Sequence, residues 1–245
     1  MNSLTVRGLT KHYEGFALEN ISFSLKEGHI MGLIGRNGAG KSTTLKSILH
    51  LVSPDAGSIE ILGGDFFRDE AKIKQELGVV LGGIDFYTNK RLRSITAVTR
   101  RFYSNWDEPK YRDYLSAFGL DESKRVKELS AGMKVKYLVA LALSHKAKLL
   151  ILDEPTSGLD PVSRDELLEL FRALAGEGIS ILFSTHITSD LEHCADDITY
   201  IKGGKLLASA GKAEFMRLFQ SKFDCGGELT LEEIMLRCER GEGCA

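Results

Sequence analysis

The sequence predicts an α/β protein built on a parallel sheet, because it contains two buried strands with a helix between them. Residues 149–152 form a continuous apolar run, which is typical of a strand covered on both faces. Residues 179–183 form a second, mostly apolar run. Between the two runs, residues 162–174 carry apolar side chains at helical spacing. The order strand, helix, strand indicates a parallel crossover connection.

Composition and charge exclude several classes of protein. The chain has 245 residues, and its 43% of hydrophobic residues is too high for a disordered chain. With 32 Lys and Arg against 34 Asp and Glu, the net charge of −2 argues against a strongly basic nucleic-acid binder, so no nucleic-acid partner is expected. The longest clean apolar run, residues 138–143, is far shorter than the ~20 residues of a membrane-spanning helix. The four cysteines form no Cys-x-x-Cys pair, so we expect reduced thiols and no zinc site.

The N-terminal part is predicted to hold antiparallel strands, a buried strand and a helix. Residues 4–25 alternate apolar and polar side chains in two pieces, as antiparallel strands with one solvated face do. Residues 29–34 form a short apolar run that leads into glycines, as a buried strand would. Residues 41–51 have helical spacing, and residues 58–62 alternate again.

The middle of the chain is predicted to be mostly helical. One helix would carry an apolar face behind a cap at Ser94; that face comprises Ile95, Val98 and Phe102. Asp107 can cap a second helix, which has a proline in its first turn. Residues 130–144 are predicted to form a third helix.

A glycine-rich loop lies between the predicted strand of residues 29–34 and the helix that follows it. The pattern Gly-x4-Gly-Lys-Ser is matched by Gly35-Arg36-Asn37-Gly38-Ala39-Gly40-Lys41-Ser42. Glycine lets the backbone approach phosphate oxygens, and the positive end of the helix attracts their charge. Lys41 would reach the β and γ phosphates of a nucleotide, and the Ser42 hydroxyl would bind Mg²⁺. The alternative is a plain glycine-rich turn, which the strand and helix on either side disfavour.

Two acids, Asp153 and Glu154, directly follow the predicted strand of residues 149–152. Ligands of open parallel sheets bind beyond the carboxyl ends of the strands, so these acids are expected to face the glycine-rich loop. Asp153 is the expected Mg²⁺ partner, directly or through water, and Glu154 can polarise an attacking water as a general base. The simpler alternative is an exposed turn that carries two acids.

His186 lies just beyond the strand of residues 179–183, at the same predicted edge of the sheet. An imidazole in that place can contact a γ-phosphate and register its presence. A lone histidine is more often structural, and the other five histidines are interpreted in that way. Only its position singles out His186.

Two more short motifs lie on either side of the acidic pair Asp153 and Glu154. Residues 129–133, Leu-Ser-Ala-Gly-Met, are similar to the signature motif Leu-Ser-Gly-Gly-Gln, and Ser157-Gly158-Leu159-Asp160 is similar to a D-loop. In this order the motifs resemble those of the ATP-binding cassette (ABC) ATPases, over residues 3–210. The resemblance implies a P-loop NTPase core with a parallel sheet, an N-terminal antiparallel β-subdomain and an inserted α-helical subdomain.

The resemblance also implies how ATP and Mg²⁺ are bound. Ser130 and Gly132 would bind the γ-phosphate of an ATP held by a second, facing subunit, and Asp160 would lie at that interface. Whether the dimer is a homodimer or a heterodimer stays open. Tyr13 would stack on adenine; the alternative for it is a half-buried strand aromatic. The nucleotide-binding residues of the loop would be Gly35, Asn37, Gly38, Ala39, Gly40, Lys41, Ser42 and Thr43.

Residues 102–107 and 183–191 look like those of single-cassette ATPases from bacterial drug, antibiotic and peptide exporters of the ABC-2 type. That likeness implies an ATP-hydrolysing subunit, peripheral on the cytoplasmic face of the cell membrane, that powers a separate transmembrane permease. The basic residues within 90–93 and 100–101 lie in the region that would face this partner. They are either solvated positive surfaces or a docking surface for an acidic permease or lipid.

The chain departs from the family's pattern in two places. Gly82 stands where the family usually carries a Gln that touches Mg²⁺ and the attacking water, and Asp85 is a candidate substitute. The signature motif has Ala131 and Met133 in place of Gly and Gln, so we expect weakened rather than absent function there.

Two other functions stay open at this stage. A soluble ABC-type ATPase in translation or repair is disfavoured by the single cassette and by the lack of sustained heptads. A catalytically weak nucleotide-binding partner in a heterodimer is favoured by Gly82 and Ala131, and opposed by Glu154 and His186.

The predicted domain division places the ATPase domain at residues 1–210, with the helical subdomain at about 84–146, and a short helical tail at 211–245. An apolar stripe in the tail is predicted to pack on the ATPase domain; it comprises Leu231, Ile234, Met235 and Cys238.

Overall fold

The computed structural model describes residues 1–81, 87–223 and 228–241. The strands in these ranges are β1 (Asn2–Tyr13), β2 (Phe16–Lys26), β3 (Ile30–Ile34), β4 (Ala56–Ile61), β5 (Gly64–Asp65), β6 (Leu77–Leu81), β7 (Leu149–Asp153), β8 (Ser180–Thr185), β9 (Asp197–Lys202) and β10 (Lys205–Gly211). The helices are α1 (Lys41–Ile48), α2 (Phe66–Lys74), α3 (Leu92–Thr99), α4 (Glu108–Ala117), α5 (Ala131–Ser144), α6 (Pro161–Gly176), α7 (Thr188–Cys194), α8 (Lys212–Phe223) and α9 (Leu231–Arg240). The predictions made for Gly82 and Asp85 lie outside the described residues.

The described strands form one sheet in the order β5-β4-β1-β2-β10-β9-β3-β8-β7-β6. Its central strands are parallel: β3 pairs with β9 and β8, and β7 pairs with β8 and β6. At the other side β1 pairs with β2 and β4 in antiparallel fashion. The predicted α/β fold, with a parallel sheet and N-terminal antiparallel strands, is therefore confirmed.

Strand β7 is buried on both faces, as its apolar run predicts. Leu150 and Leu152 belong to one hydrophobic core, whereas Leu149 and Ile151 belong to another. Successive side chains of a strand point to opposite faces, so the two cores lie on opposite sides of the sheet. Such a sandwiched strand carries its polar residues only where it ends.

The carboxyl ends of three neighbouring strands meet at one edge of the sheet. Ile34 at the end of β3 is in register with Thr185 of β8, and Asp153 at the end of β7 is in register with Ser184. The segments that follow these strands carry the glycine-rich loop, the acidic pair and His186. The strand register thus brings all three predicted motifs to the same edge.

The helical region between β6 and β7 has its own core, and the predicted apolar face meets it only in part. Ile95 packs against this core, whereas Val98 and Phe102 are 56% and 71% exposed. Leu92 and Thr96 are buried in their place, and the Thr96 hydroxyl lies 2.7 and 2.8 Å from two tyrosine hydroxyls. Ile95 and Val98 also line a surface groove, and Phe102 lies in the short 3-10 turn Arg100–Phe102 that follows α3.

The predicted caps of this region have different outcomes. Ser94 lies inside α3, which begins at Leu92 with Arg91 in the cap position, so the predicted cap at Ser94 is wrong. Asp107 does cap α4, since its side chain accepts the Lys110 N–H. Asp107 directly precedes α4, so its carboxylate oxygen reaches the free N–H groups of the first turn. Ser94 lies two residues inside α3 and cannot do so, and α3 begins without a side-chain cap.

The C-terminal helices pack on the main core. Leu231, Ile234 and Cys238 of α9 are buried in the same core as Phe215 and Phe219 of α8, as the stripe in the sequence predicts. The side chains of Cys194 and Cys238 are buried. None of the helices in the described ranges has the length and apolar character of a membrane-spanning segment.

Candidate functional site

The glycine-rich loop leaves β3 after Ile34 and enters α1 at Lys41. A side chain at Gly40 would be strained, because its φ is +113° and a Cβ there would lie 2.6 Å from Leu18 Cδ2. At Gly35 a Cβ would lie 2.3 Å from the Ile201 carbonyl oxygen, so only glycine lets the loop rest on that strand. The N-terminus of α1 has no side-chain cap, which leaves its N–H groups available to an anion.

Lys41 is buried in the loop, with 5% of its side chain exposed. Its ammonium donates to the Gly35 carbonyl oxygen at 2.7 Å and lies 3.2 Å from Glu154 Oε1. A buried ammonium that is held in this way is a preorganised binding group for negative charge.

Asp153 lies between two serine hydroxyls. Ser42 Oγ of α1 donates to Asp153 Oδ1 at 3.1 Å, and Ser184 Oγ of β8 donates to the same oxygen at 2.5 Å. The described residues include no group of three His, Cys, Asp or Glu that could hold a metal ion by themselves. A hydroxyl and a carboxylate side by side suit Mg²⁺, which takes one or two such ligands and completes its shell with phosphates and water. The donor set therefore fits a magnesium–nucleotide complex.

Glu154 is held in an unusual backbone conformation next to Asp153. Its φ is +50°, in the left-handed region that residues other than glycine adopt at a cost of about 1–3 kcal/mol. The Glu154 N–H donates to Ser184 Oγ at 3.0 Å, and its carboxylate oxygen Oε2 lies 2.8 Å from His186 Nδ1. The carboxylate thus bridges Lys41 and His186, so the structure brings the predicted base, the histidine and the loop lysine into one cluster.

A cavity of about 550 Å³ opens above this cluster. Its lining residues are Phe16, Arg36, Asn37, Gly38, Gly40, Lys41, Ser42, Thr43, Glu154, Ser157 and His186. Gly35, Ala39 and Asp153 are not among the lining residues: Gly35 and Ala39 are buried, and Asp153 accepts a hydrogen bond from Ser42. Six of the eight loop residues predicted to bind nucleotide therefore line this one cavity.

Tyr13 lies near the cavity but does not line it. It ends β1, is 46% exposed, and is in register with Phe16 at the start of β2. Phe16, which the sequence analysis did not select, is the aromatic residue that lines the cavity. Its signal in the sequence is its place three residues after Tyr13 in the same hairpin. The adenine-stacking role of Tyr13 stays a prediction.

Ser130, Gly132 and Asp160 also do not line this cavity. Ser130 caps α5, where its side chain accepts the Met133 N–H at 3.2 Å. Gly132 packs against α6, since a Cβ there would lie 3.2 Å from Ser163 Cβ, and Ala131 is exposed. Asp160 caps α6, and hydrogen bonds from the Ser163 side chain and N–H lower the pKa of its carboxyl. These exposed helix starts can bind only a group that comes from outside this chain's own cavity.

Ser184 is a second residue that the sequence analysis did not select. Its hydroxyl donates to Asp153 and accepts the Glu154 N–H, so it holds both acids. The only signal in the sequence is that it directly precedes Thr185 and His186 at the end of a strand. Its role depends on the register of β7 with β8, which a single sequence does not give.

A family model described as ABC transporter matches residues 18–157 of the chain. The bacitracin transport ATP-binding protein BcrA of Bacillus licheniformis is 37% identical over 203 residues, which cover 81% of this chain and 66% of that relative. The lantibiotic transport ATP-binding protein SrtF of Streptococcus pyogenes is 36% identical over 208 residues, which cover 83% of this chain and 89% of that relative. The match to BcrA thus spans just under two thirds of the relative's length.

Solved structures give the same picture of the fold. A structure of the ATP-binding subunit of an ABC transporter superposes with a TM-score of 0.83 and is 28% identical in sequence. The superposition covers 96% of this chain and 99% of the other.

Proposed function

This chain belongs to the ABC transporter family, and from that premise we propose that it is an ATP-binding and ATP-hydrolysing subunit that powers a separate transmembrane permease. The observation that carries the proposal is the cluster of Lys41, Asp153, Glu154 and His186 at one sheet edge, under a cavity walled by the glycine-rich loop. A cluster of this kind combines phosphate binding with a base, which phosphoryl transfer to water requires.

ATP binds with its phosphates on the loop and the start of α1. The open N–H groups of α1 and the Lys41 ammonium neutralise the phosphate charge. Ser42 and Asp153 would hold Mg²⁺, which would neutralise charge on the phosphates. Phe16 or Tyr13, at the hairpin end, supplies an aromatic surface for the base.

The hydrolytic step is assigned to Glu154 and His186. When phosphates take over the Lys41 ammonium, the Glu154 carboxylate is released from that contact and is free to accept a proton from an attacking water. His186 forms a hydrogen bond with Glu154 and lines the cavity, where its imidazole can contact the γ-phosphate. Lys41 and His186 then stabilise the charge that develops on the transferred group.

Ser184→Ala is expected to raise the Mg²⁺ concentration for half-maximal ATPase activity by about 10-fold, since partners of metal-binding carboxylates contribute on this scale. The variant removes the hydroxyl that orients Asp153 at 2.5 Å. The measurement is a Mg²⁺ titration of steady-state ATP hydrolysis at saturating ATP.

The matched control is Ser180→Ala, at the opposite end of the same strand. Ser180 is equally buried, and its hydroxyl bonds to Ser3 at 2.7 Å, far along β8 from Asp153. An unchanged Mg²⁺ requirement in Ser184→Ala, or an equal change in both variants, would contradict the role given to Ser184.

The arrangement of Ser130, Gly132 and Asp160 supports a dimer in which two copies face each other. Ser130 and Asp160 are exposed at the starts of α5 and α6, and neither lines the chain's own cavity. In the proposed dimer, the start of α5 binds the γ-phosphate of the ATP held by the other subunit. Each ATP is then bound by both subunits.

The transported molecule is proposed from the relatives. The two curated relatives described above are named for transport of bacitracin and of a lantibiotic. We take this as support for export of a drug, antibiotic or peptide. In this proposal the chain acts at the cytoplasmic face of the membrane, bound to its permease.

A groove beside β6 is the proposed permease-docking face. Two adjoining cavities of about 280 and 230 Å³ share Tyr87, Ile95 and Thr99. The exposed Val98 lines the first of them, and the exposed Phe102 follows α3 by three residues. Lys90 lines the first cavity, and Arg93 lies in α3, which contributes most of that lining. Exposed apolar side chains with a basic rim are the features of a protein-docking surface.

Phe102→Glu is expected to weaken the complex with the permease by about 2 kcal/mol, roughly 30-fold in affinity, as loss of an aromatic anchor does. The experiment co-expresses the tagged full chain with its candidate permease and measures how much of the membrane protein is recovered with the chain from detergent-solubilised membranes. The matched control is Phe67→Glu, an exposed phenylalanine on α2.

Two results would contradict the proposal. Equal recovery of the permease with Phe102→Glu and Phe67→Glu would show that the groove is not the docking face. Recovery of ribosomes in place of the membrane protein would favour the soluble ATPase in translation. A wild-type chain that binds ATP but does not hydrolyse it, alone or with the permease, would favour the catalytically weak heterodimer partner.

A further inference from the structure

Asp190 of α7 is a buried acid that the sequence analysis did not select. Its side chain is completely buried, four residues after His186. A charged group is costly to bury unless it is paired and hydrogen-bonded, so its contacts show what holds it there.

Three elements provide those contacts. Asp190 Oδ2 accepts the Thr156 hydroxyl at 2.6 Å and the Thr185 hydroxyl at 3.4 Å. Asp190 Oδ1 accepts a hydrogen bond from the Arg164 guanidinium of α6, with which it forms an ion pair. Arg164 also donates to Ser189 Oγ at 2.7 Å, next to Asp190. One carboxylate therefore joins β8, the segment after β7 and α6.

Each contact lies beside a residue assigned to the ATP site. Thr156 follows Glu154 by two residues, and Arg164 lies one helical turn after Asp160. The Thr185 hydroxyl also accepts the Ile187 N–H at 3.0 Å, so it spans the backbone that carries His186. Asp190 itself does not line the cavity and contacts none of the nucleotide-binding residues of the loop.

We infer that Asp190 is a positioning residue that fixes the distance between Glu154 and His186. The inference rests on the proposed function, because it assigns Asp190 a part in the same reaction. Through Thr156 it holds the turn after Glu154, and through Thr185 it holds the turn around His186. The 2.8 Å contact between Glu154 and His186 is the geometry that these two anchors maintain.

The test uses the full chain with Asp190→Asn and Thr185→Val. Asp190→Asn keeps the size of the side chain but removes the charge that the three donors share. Thr185→Val removes one hydroxyl and leaves the ion pair with Arg164 intact, so it keeps the test valid if Asp190→Asn folds poorly. The conservative variant Thr185→Ser restores the hydroxyl.

We expect both disrupting variants to lower kcat for ATP hydrolysis by at least about 10-fold, since small misplacements of catalytic groups are costly. The Kd for ATP should change by less than about 2-fold, because the contact between Glu154 and His186 is assigned to the hydrolytic step and not to the binding of ATP. Thr185→Ser should recover most of kcat. The matched control is Asp165→Asn, an exposed acid on α6 whose replacement should leave kcat unchanged.

A second measurement does not depend on hydrolysis. The imidazole NMR signals of His186, assigned by their loss in His186→Gln, should shift in Asp190→Asn and Thr185→Val and stay unchanged in Asp165→Asn. Unchanged His186 signals and unchanged kcat in folded variants would overturn the inference, as would an equal loss of ATP affinity and kcat. A wild-type chain without ATPase activity would refute the proposed function, while the His186 signals would still decide the role of Asp190.

Discussion

Replacing Glu154 with Gln is expected to lower kcat for ATP hydrolysis by about 10²- to 10⁴-fold, the usual contribution of a general base. Gln has the same shape and keeps an oxygen that can accept from Lys41, which lies 3.2 Å from the carboxylate. It cannot take a proton from water. ATP binding should therefore persist while turnover stops, and the ATP-bound dimer should accumulate.

The measurement is single-turnover hydrolysis together with gel filtration in the presence of Mg-ATP. The matched control is Glu166→Gln, an exposed acid on α6 that pairs with Lys136 away from the cavity. That variant should hydrolyse ATP like the wild type and show no trapped dimer. Full activity in Glu154→Gln would remove Glu154 from the role of base.

The order of the predicted strands indicates which acids and which histidine meet, because the carboxyl ends of parallel strands lie at the same edge of the sheet. Asp153, Glu154 and His186 could be selected from the sequence, since each directly follows or nearly follows a strand recognisable as an apolar run. Ser184 and Asp190 could not be selected in that way. Their roles come from hydroxyl and carboxylate contacts across β7, β8 and α7, and such contacts depend on strand register and helix placement.

Helical spacing predicted apolar faces but not what covers them. The stripe of Leu231, Ile234 and Cys238 is buried in the main core, whereas Val98 and Phe102 of the stripe that begins at Ile95 are exposed. Both have the same period in the sequence. The difference arises because the α9 stripe packs on apolar residues of the chain along its whole length, whereas in the other stripe only Ile95 does so.

Gly204→Ala is expected to lower the free energy of unfolding by about 3 kcal/mol, because left-handed backbone strain and overpacking add at this position. Gly204 has a φ of +77°, and a Cβ there would lie 1.7 Å from the carbonyl oxygen of Ala17. The obstacle is backbone, so β2 or the β9–β10 turn must move. The Gly204 N–H also donates to the Ala39 carbonyl oxygen at 2.9 Å, which ties this turn to the glycine-rich loop.

The neighbouring residue provides the matched control for this substitution. Gly203 has a φ of +53°, but a Cβ added there would meet no atom within 4 Å, so Gly203→Ala carries only the backbone strain of about 1 kcal/mol. Urea unfolding of both variants separates the strain from the collision with Ala17. Gly204→Ala should also bind ATP more weakly than Gly203→Ala, because a shift of the β9–β10 turn displaces Ala39 in the glycine-rich loop through its hydrogen bond with Gly204. Equal unfolding free energies for the two variants would show that β2 moves away from the added methyl group at no cost in free energy. The β9–β10 turn would then have no part in holding the glycine-rich loop.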